Sequence, residues 1–135
     1  MKSTLDIVDI LFEKLKVGAL KDAISGSICK HRRDGNSNLE DVVINCLPVN
    51  NEQLSRTIAN INIHVPDVTA DVNGAQDKQP DHIRLKALAA IAIDLLKDNW
   101  TKEYRFDVQQ QVIIEDREAG DHYVNIRIDF LIINI

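Results

Sequence analysis

DHIRLKALAAIAIDLLKDNW, residues 81–100, is the stretch that decides the fold. Asp81 follows a proline and can cap the N-terminus of a helix. Apolar residues then recur at spacings of three and four along one face, and alanine and isoleucine fill much of the opposite side. The pattern predicts a long helix that is covered on more than one side. Because the flanking segments have strand patterns, we expect this helix to lie across a sheet.

Length and charge restrict the class of protein. The 135 residues are most naturally one domain that spans residues 1–135. The 16 basic and 21 acidic residues give a formal charge of −5, which opposes tight binding of nucleic acid. Cys29 and Cys46 form neither a CxxC pair nor a zinc spacing, and we expect them to be buried thiols. We also expect neither a secretory signal nor a membrane span.

The segments before the central helix predict one helix and three strands. Residues 4–16 have the pattern of an amphipathic helix, capped by Ser3 or Thr4 and ended by a glycine. Residues 23–30 and 41–47 have strand patterns, and we expect them to pair as a hairpin across a polar loop. Residues 56–65 alternate apolar and polar side chains, which predicts a strand with one dry and one wet face.

Two long strands, residues 104–114 and 122–135, are predicted after the central helix. Setting Val112 opposite Val124 brings apolar residues together on one face of an antiparallel hairpin. These elements predict an α+β fold. Its antiparallel sheet, mixed at most, has about five strands, and the N-terminal helix and the long central helix pack on one face.

The last strand loses its alternation near its end and is apolar on both faces there. Such a segment is a template for association, so we predict an oligomer interface that contains Leu131, Ile133 and Ile135. Residues 67–80 are expected to form a long polar loop that acts as an arm for a partner. The polar loops are predicted to contact partners through Arg32, Arg33, Glu40, Asp41, Asp71 and Asn73. For the basic cluster at 30–33, the alternative is a solvated turn with internal ion pairs.

The sequence contains no pattern that predicts a catalytic, cofactor or metal site. The four histidines fall in four segments without zinc-binding spacing, and the five glycines form no phosphate-binding loop. The serines at 25–27 lack the GxSxG elbow of hydrolases. We therefore expect a protein that is not an enzyme. An enzyme would require His64 or His122 to meet an acid such as Asp129 in a cleft.

The order of elements and three short phrases, NINIHVPD at 60–67, DHIRL at 81–85 and HYVNIRIDF at 122–130, carry a family resemblance. The chain resembles small proteins encoded among the tail genes of prophages in Bacteroides-type bacteria. Through them it resembles the tail-terminator, or tail-completion, proteins of long-tailed phages. The resemblance covers nearly the whole chain.

This resemblance implies a structural protein that forms a homo-oligomeric ring, commonly a hexamer. The ring caps the tail tube and joins it to the head connector, and DNA passes through its hole. The implied partners are further copies of the chain and the tube and connector proteins, first in the cytoplasm and then in the virion tail. The alternative from the residues themselves is a small-ligand or peptide-binding module. It would use the wet sheet face around Asn60, Asn62, His64, Asn125 and Arg127.

Overall fold

The computed structural model describes residues 2–50 and 52–134, which form three helices and two sheets. Five strands form a mixed sheet in the order β1-β2-β3-β7-β6, and β4 pairs with β5 in a separate ribbon. The predicted α+β class is confirmed, and the sheet, predicted to be antiparallel or at most mixed, is mixed because β1 runs parallel to β2. In chain order the elements are α1 (Thr4–Leu15), α2 (Ala19–Ala23), β1 (Ile28–Lys30), β2 (Val42–Cys46), β3 (Leu54–Pro66), β4 (Val68–Val72), β5 (Ala75–Gln79), α3 (His82–Leu95), β6 (Tyr104–Asp116) and β7 (Asp121–Ile133).

Both long helices begin at side-chain caps that the sequence predicted. The Ser3 hydroxyl accepts a hydrogen bond from the backbone N–H of Asp6, and the Asp6 carboxylate accepts one from the backbone N–H of Ser3. The Asp81 carboxylate accepts a hydrogen bond from the backbone N–H of Arg84 at the start of α3. Among the helices of the described residues, none is long and apolar enough to cross a membrane.

The core lies between the helices and one face of the five-stranded sheet. Alternate residues of β3 and β7 point into it, so the predicted dry face of each strand is confirmed. Phe106 and Phe130 stack inside it with ring centroids 5.4 Å apart. The fully buried members include Ile7, Leu11, Leu15, Leu20, Ile44, Ile61, Ile63, Leu88, Ile126 and Ile128.

The predicted hairpin between the first two strands is wrong. β1 is only three residues long and runs parallel to β2, with Ile28 opposite Val42. The short α2 ends at Ala23, where the strand was expected to begin, and residues 24–27 are neither helix nor strand. A parallel partner forces residues 31–41 to travel back along the strand, and polar contacts described below hold that return in place.

The expectation that residues 67–80 form a loop is also wrong, because most of them form an antiparallel β-ribbon. β4 and β5 are joined at Asn73–Gly74, where both residues have positive φ values of 54° and 84°. This conformation is that of a type I′ turn, for which Asn-Gly is the preferred sequence. The expected loop is therefore a short hairpin with an exposed tip.

A β-bulge divides the register of β6 and β7. Val108 lies opposite Ile128, as predicted, but the next pair joins Gln110 to Arg127. Gln109 is therefore an extra residue, and every later residue of β6 faces the side opposite to the prediction. Val112 consequently lies opposite Asn125, and Val124 is paired with Ile113 instead.

Candidate functional site

The face of the five-stranded sheet opposite to the helices, the open face, carries four apolar side chains near one end, beside the charged residues Arg56 and Asp129. Leu54 and Ile133 are direct partners across β3 and β7, and Leu131 is the next residue of β7 on the same face. Ile58 lies further along β3, beyond Arg56, which is the direct partner of Leu131. Leu54 is 59% exposed, and the other three side chains are half-buried. We call these four residues the apolar patch.

The apolar patch contains two of the three residues predicted at the oligomer interface, Leu131 and Ile133. β7 is a central strand between β3 and β6, so these residues contact a partner through the open face and not through a strand edge. Ile135, the third predicted residue, lies outside the described residues. The assignment of these residues to an interface stays a prediction.

A second apolar surface lies on the helix side, where α3 leaves part of β6 uncovered. A groove of about 380 Å³ runs between them and is lined by Leu85, Ala89, Ile93, Ile113 and Val124, among others. Ile113 is 46% exposed although it points towards α3. β6 is an edge strand, and its outer backbone groups lie beside this groove. We call it the edge groove.

The middle of the open face is polar, as the sequence predicted. Asn60 donates a side-chain hydrogen bond to Asn45 at 3.0 Å, and Asn125 donates one to Asn62 at 2.7 Å. The amides thus bond one another across three strands. The buried Nε of Arg127 on the same face has no hydrogen-bond partner within the described part of the chain.

At the other end of β3 and β7, charged side chains are buried together. Arg33 donates to Asp121 at 2.7 Å and contacts Asp41 at 3.3 Å. The side chains of these three residues are only 10%, 3% and 5% exposed, respectively. Asp41 also accepts a hydrogen bond from the hydroxyl of Ser37 at 2.5 Å and from the backbone N–H of Ser27 at 2.9 Å. This set holds the returning loop 31–41 against the sheet.

Of the residues predicted to contact partners, several make bonds within the chain. Arg33 and Asp41 lie in the buried set just described, and Glu40 pairs with Arg84 through contacts of 2.5 and 2.8 Å. The hydrogen bond from Arg84 lowers the pKa of Glu40. Arg32 is exposed. Asp71 and Asn73 are also exposed, on the β4–β5 ribbon.

Two histidines lie against carboxylates, though neither partner is Asp129. Nδ1 of His64 is 3.4 Å from an oxygen of Asp121, and Nδ1 of His122 is 2.6 Å from an oxygen of Asp67. Burial is the main cause of a lowered pKa at His64, which keeps its ring neutral near pH 7. The pairs join segments more than fifty residues apart, so no local motif could have predicted them.

A comparison with protein-family models finds no match, and a comparison with curated proteins finds no significant relative.

Proposed function

We propose that the chain is a structural subunit that assembles head to tail into a closed ring, and that this ring is an adaptor of a phage or prophage tail. The observation that carries the proposal is the apolar patch on the open face. Exposed apolar area beside a polar rim is typical of protein–protein contacts. Leu54, at 59% exposed, leaves most of its surface available for a second subunit.

A ring requires two different surfaces on each subunit, because a head-to-tail contact joins unlike patches. The edge groove supplies the second surface, on the opposite side of the sheet from the apolar patch. The exposed β4–β5 ribbon is a third feature that can reach a neighbour. An acidic chain of formal charge −5 suits a ring through which DNA slides, because it offers phosphates little attraction.

Light scattering on a size-exclusion column tests the assembly. Wild-type protein is expected to give one discrete closed species over a range of concentrations. Leu54→Asp disables the apolar patch, Ile113→Asp disables the edge groove, and each should yield a folded monomer. Val17→Asp is the matched control, because Val17 is 58% exposed outside both surfaces and its replacement should leave the ring intact.

Mixing the two disabled variants distinguishes head-to-tail contact from a two-fold dimer. Each variant keeps one intact surface, so Leu54→Asp and Ile113→Asp should form a 1:1 heterodimer that cannot grow further. A strictly monomeric wild type would overturn the assembly. A dimer that only Leu54→Asp disrupts would overturn the head-to-tail arrangement.

The tail role needs its own experiment, because a ring by itself does not identify what it caps. In an induced lysogen, deletion of the gene should leave heads and tails unjoined in electron micrographs. Complementation with Val17→Asp should restore joined particles, and complementation with Leu54→Asp should not. Normal particles in the deletion strain would reject the tail role and leave the assembly proposal standing.

The binding-module alternative is favoured by one observation, the buried and unpartnered Nε of Arg127 on the polar open face. An acidic small molecule or peptide is the ligand class that this donor fits. Binding there predicts chemical-shift changes at Asn60 and Asn125 on titration with such a ligand, in a protein that remains monomeric. A ligand-insensitive polar face would remove this alternative.

A further inference from the structure

Three side chains with metal-binding atoms converge where the β6–β7 hairpin turns. His64 comes from β3, Asp116 ends β6 and Asp121 begins β7. One nitrogen of the histidine and one oxygen of each carboxylate all lie within 4.8 Å of one another. His64 and Asp121 are buried, and Asp116 is half-buried.

The spacing of His64 and Asp121 suits two ligands of one metal ion. Nδ1 of His64 is 3.4 Å from Oδ1 of Asp121, whereas N–H···O hydrogen bonds are usually about 2.7–3.2 Å long. In a tetrahedral zinc site, bonds of about 2.0–2.2 Å place neighbouring ligand atoms roughly 3.3–3.5 Å apart. The separation of His64 and Asp121 lies in that range, and the separations that involve Asp116 are within 4.8 Å.

The local charge also favours a cation. Asp116 and Asp121 are direct partners across the hairpin, a position where like charges destabilise a sheet. Arg33 pairs with Asp41 and Asp121, and Asp116 lies beside Asp121, so three carboxylates accompany one guanidinium and leave a formal charge of −2. A divalent ion bound by His64 and the two hairpin aspartates cancels that charge.

Other groups orient the carboxylates from outside. Arg33 binds Oδ2 of Asp121 at 2.7 Å, which leaves Oδ1 directed at His64. The backbone N–H of Ala119 donates to Oδ1 of Asp116 at 3.3 Å. Hydrogen bonds of this kind fix metal-binding carboxylates in known sites. Asp121 also lines a cavity of about 190 Å³, together with Asp67 and Lys78.

We propose that His64, Asp116 and Asp121 bind one divalent transition-metal ion, with zinc as the ion that fits best. The imidazole nitrogen favours zinc over magnesium or calcium, which prefer oxygen ligands only. Three protein ligands leave a fourth position for water or a further ligand. The inference is independent of the proposed assembly role.

Isothermal titration with zinc chloride, on protein previously treated with chelator, tests the site. Wild type is expected to bind one ion per chain, and magnesium should give no heat above dilution. Asp116→Asn keeps the side-chain oxygen that accepts a hydrogen bond from the backbone of Ala119 but removes the negative charge of the ligand. Zinc affinity should therefore fall by at least about tenfold. Asp129→Asn is the matched control, because Asp129 belongs to another cross-strand aspartate pair, with Asp107, of the same hairpin. The zinc affinity of the Asp129→Asn variant should match that of wild type.

A second measurement locates the ion without any substitution. Substoichiometric manganese should broaden the amide resonances around His64, Asp116 and Asp121 before any others. Broadening centred on His31 or His82, or on the pair formed by His122 and Asp67, would overturn the proposal. Zinc affinity lost equally in Asp116→Asn and Asp129→Asn, or no saturable binding at all, would overturn it as well.

Discussion

Replacing Arg33 by methionine should lower the free energy of unfolding by about 3–5 kcal/mol, because it removes one partner of a buried ion-pair set. Methionine keeps a long apolar side chain in place of the arginine stem, so the packing changes little. What changes is the charge: Asp41 and Asp121 remain buried without the guanidinium that bridges them.

The two carboxylates do not share this cost equally. Asp41 keeps hydrogen bonds from Ser37 and from the backbone of Ser27, at 2.5 and 2.9 Å. Asp121 keeps only the long contact of 3.4 Å with His64 among the bonds of the described residues. Most of the penalty therefore falls on Asp121, and adding Asp121→Asn to the Arg33→Met variant should restore about 2 kcal/mol.

Urea unfolding followed by circular dichroism, in the presence of chelator, measures both variants. Arg32→Met is the matched control, because Arg32 is the neighbouring arginine and its side chain is exposed. That control should change the free energy of unfolding by less than about 0.5 kcal/mol. For a domain of this size the Arg33 variant should melt about 10–20 °C below wild type.

Two results would refute this reasoning about Arg33. One is an Arg33→Met variant whose free energy of unfolding is within about 1 kcal/mol of the wild-type value, because the loss of a buried ion-pair partner should cost about 3–5 kcal/mol. The other is a double variant with Asp121→Asn that is no more stable than Arg33→Met alone. Either result would mean that the buried aspartates are solvated without their arginine.

Four further changes test local geometry and pH dependence. Gly26→Ala should cost about 1–3 kcal/mol in a urea titration, because a Cβ there meets a buried carboxylate and a carbonyl oxygen 2.5 Å away. Deleting Gln109 removes the extra residue of the bulge and keeps the pairs on both sides, so stability should change by less than about 1 kcal/mol. Deleting Asn62 from the regular strand β3 exchanges the dry and wet faces on one side of the deletion, so the variant should not fold. Its circular dichroism spectrum should be that of an unfolded chain. The lowered pKa of Glu40 means that its pair with Arg84 stabilises the fold fully above its ordinary value of 4.5 and loses that contribution as the pH falls through the folded pKa. Arg84→Gln should flatten this acid dependence by a few tenths to about 1 kcal/mol, and an unchanged slope would contradict the assignment.

The elements that the sequence predicts well are those whose stability is decided locally. α1 and α3 begin at side-chain caps and continue with apolar residues at helical spacing, so both the cap and the face can be recognised in a single segment. β3 alternates apolar and polar side chains from Ala59 to Val65, because one of its faces lies on the core. The pairing of Phe106 with Phe130 follows from the same alternation.

The predictions that failed depend on contacts between distant segments or on a single extra residue. The parallel pairing of β1 is stabilised by a loop that returns to the sheet, where Arg33 meets Asp121, 88 residues further along the chain. Nothing in the spacing of residues 23–47 indicates that contact. The bulge at Gln109 lies in a run of three glutamines, where there is no apolar alternation to show the change of phase. The Asn-Gly sequence at 73–74 is typical of a hairpin turn, but its flanking strands are polar and lack the alternating apolar pattern of a hairpin.

The candidate sites also differ in how much of each could be predicted from the sequence. The sequence predicts an apolar end of the last strand, because Leu131 and Ile133 are close together in the chain. It does not predict Leu54 as their neighbour, since that contact depends on the pairing of β3 with β7. The proposed metal ligands come from three strands and have no shared spacing, so only the fold brings them together.

Strand β7 carries the proposed metal site at its first residue and the apolar patch at its last residues. About ten residues separate Asp121 from Leu131, which corresponds to roughly 33 Å along an extended strand. Effects of substitutions that far apart usually add. A double variant of Asp116→Asn and Leu54→Asp should therefore lose zinc affinity and ring formation by the same amounts as the single variants. Zinc affinity in Leu54→Asp that differs from wild type by more than about threefold would show that assembly changes the hairpin turn, since independent sites leave at most about 0.5 kcal/mol of coupling.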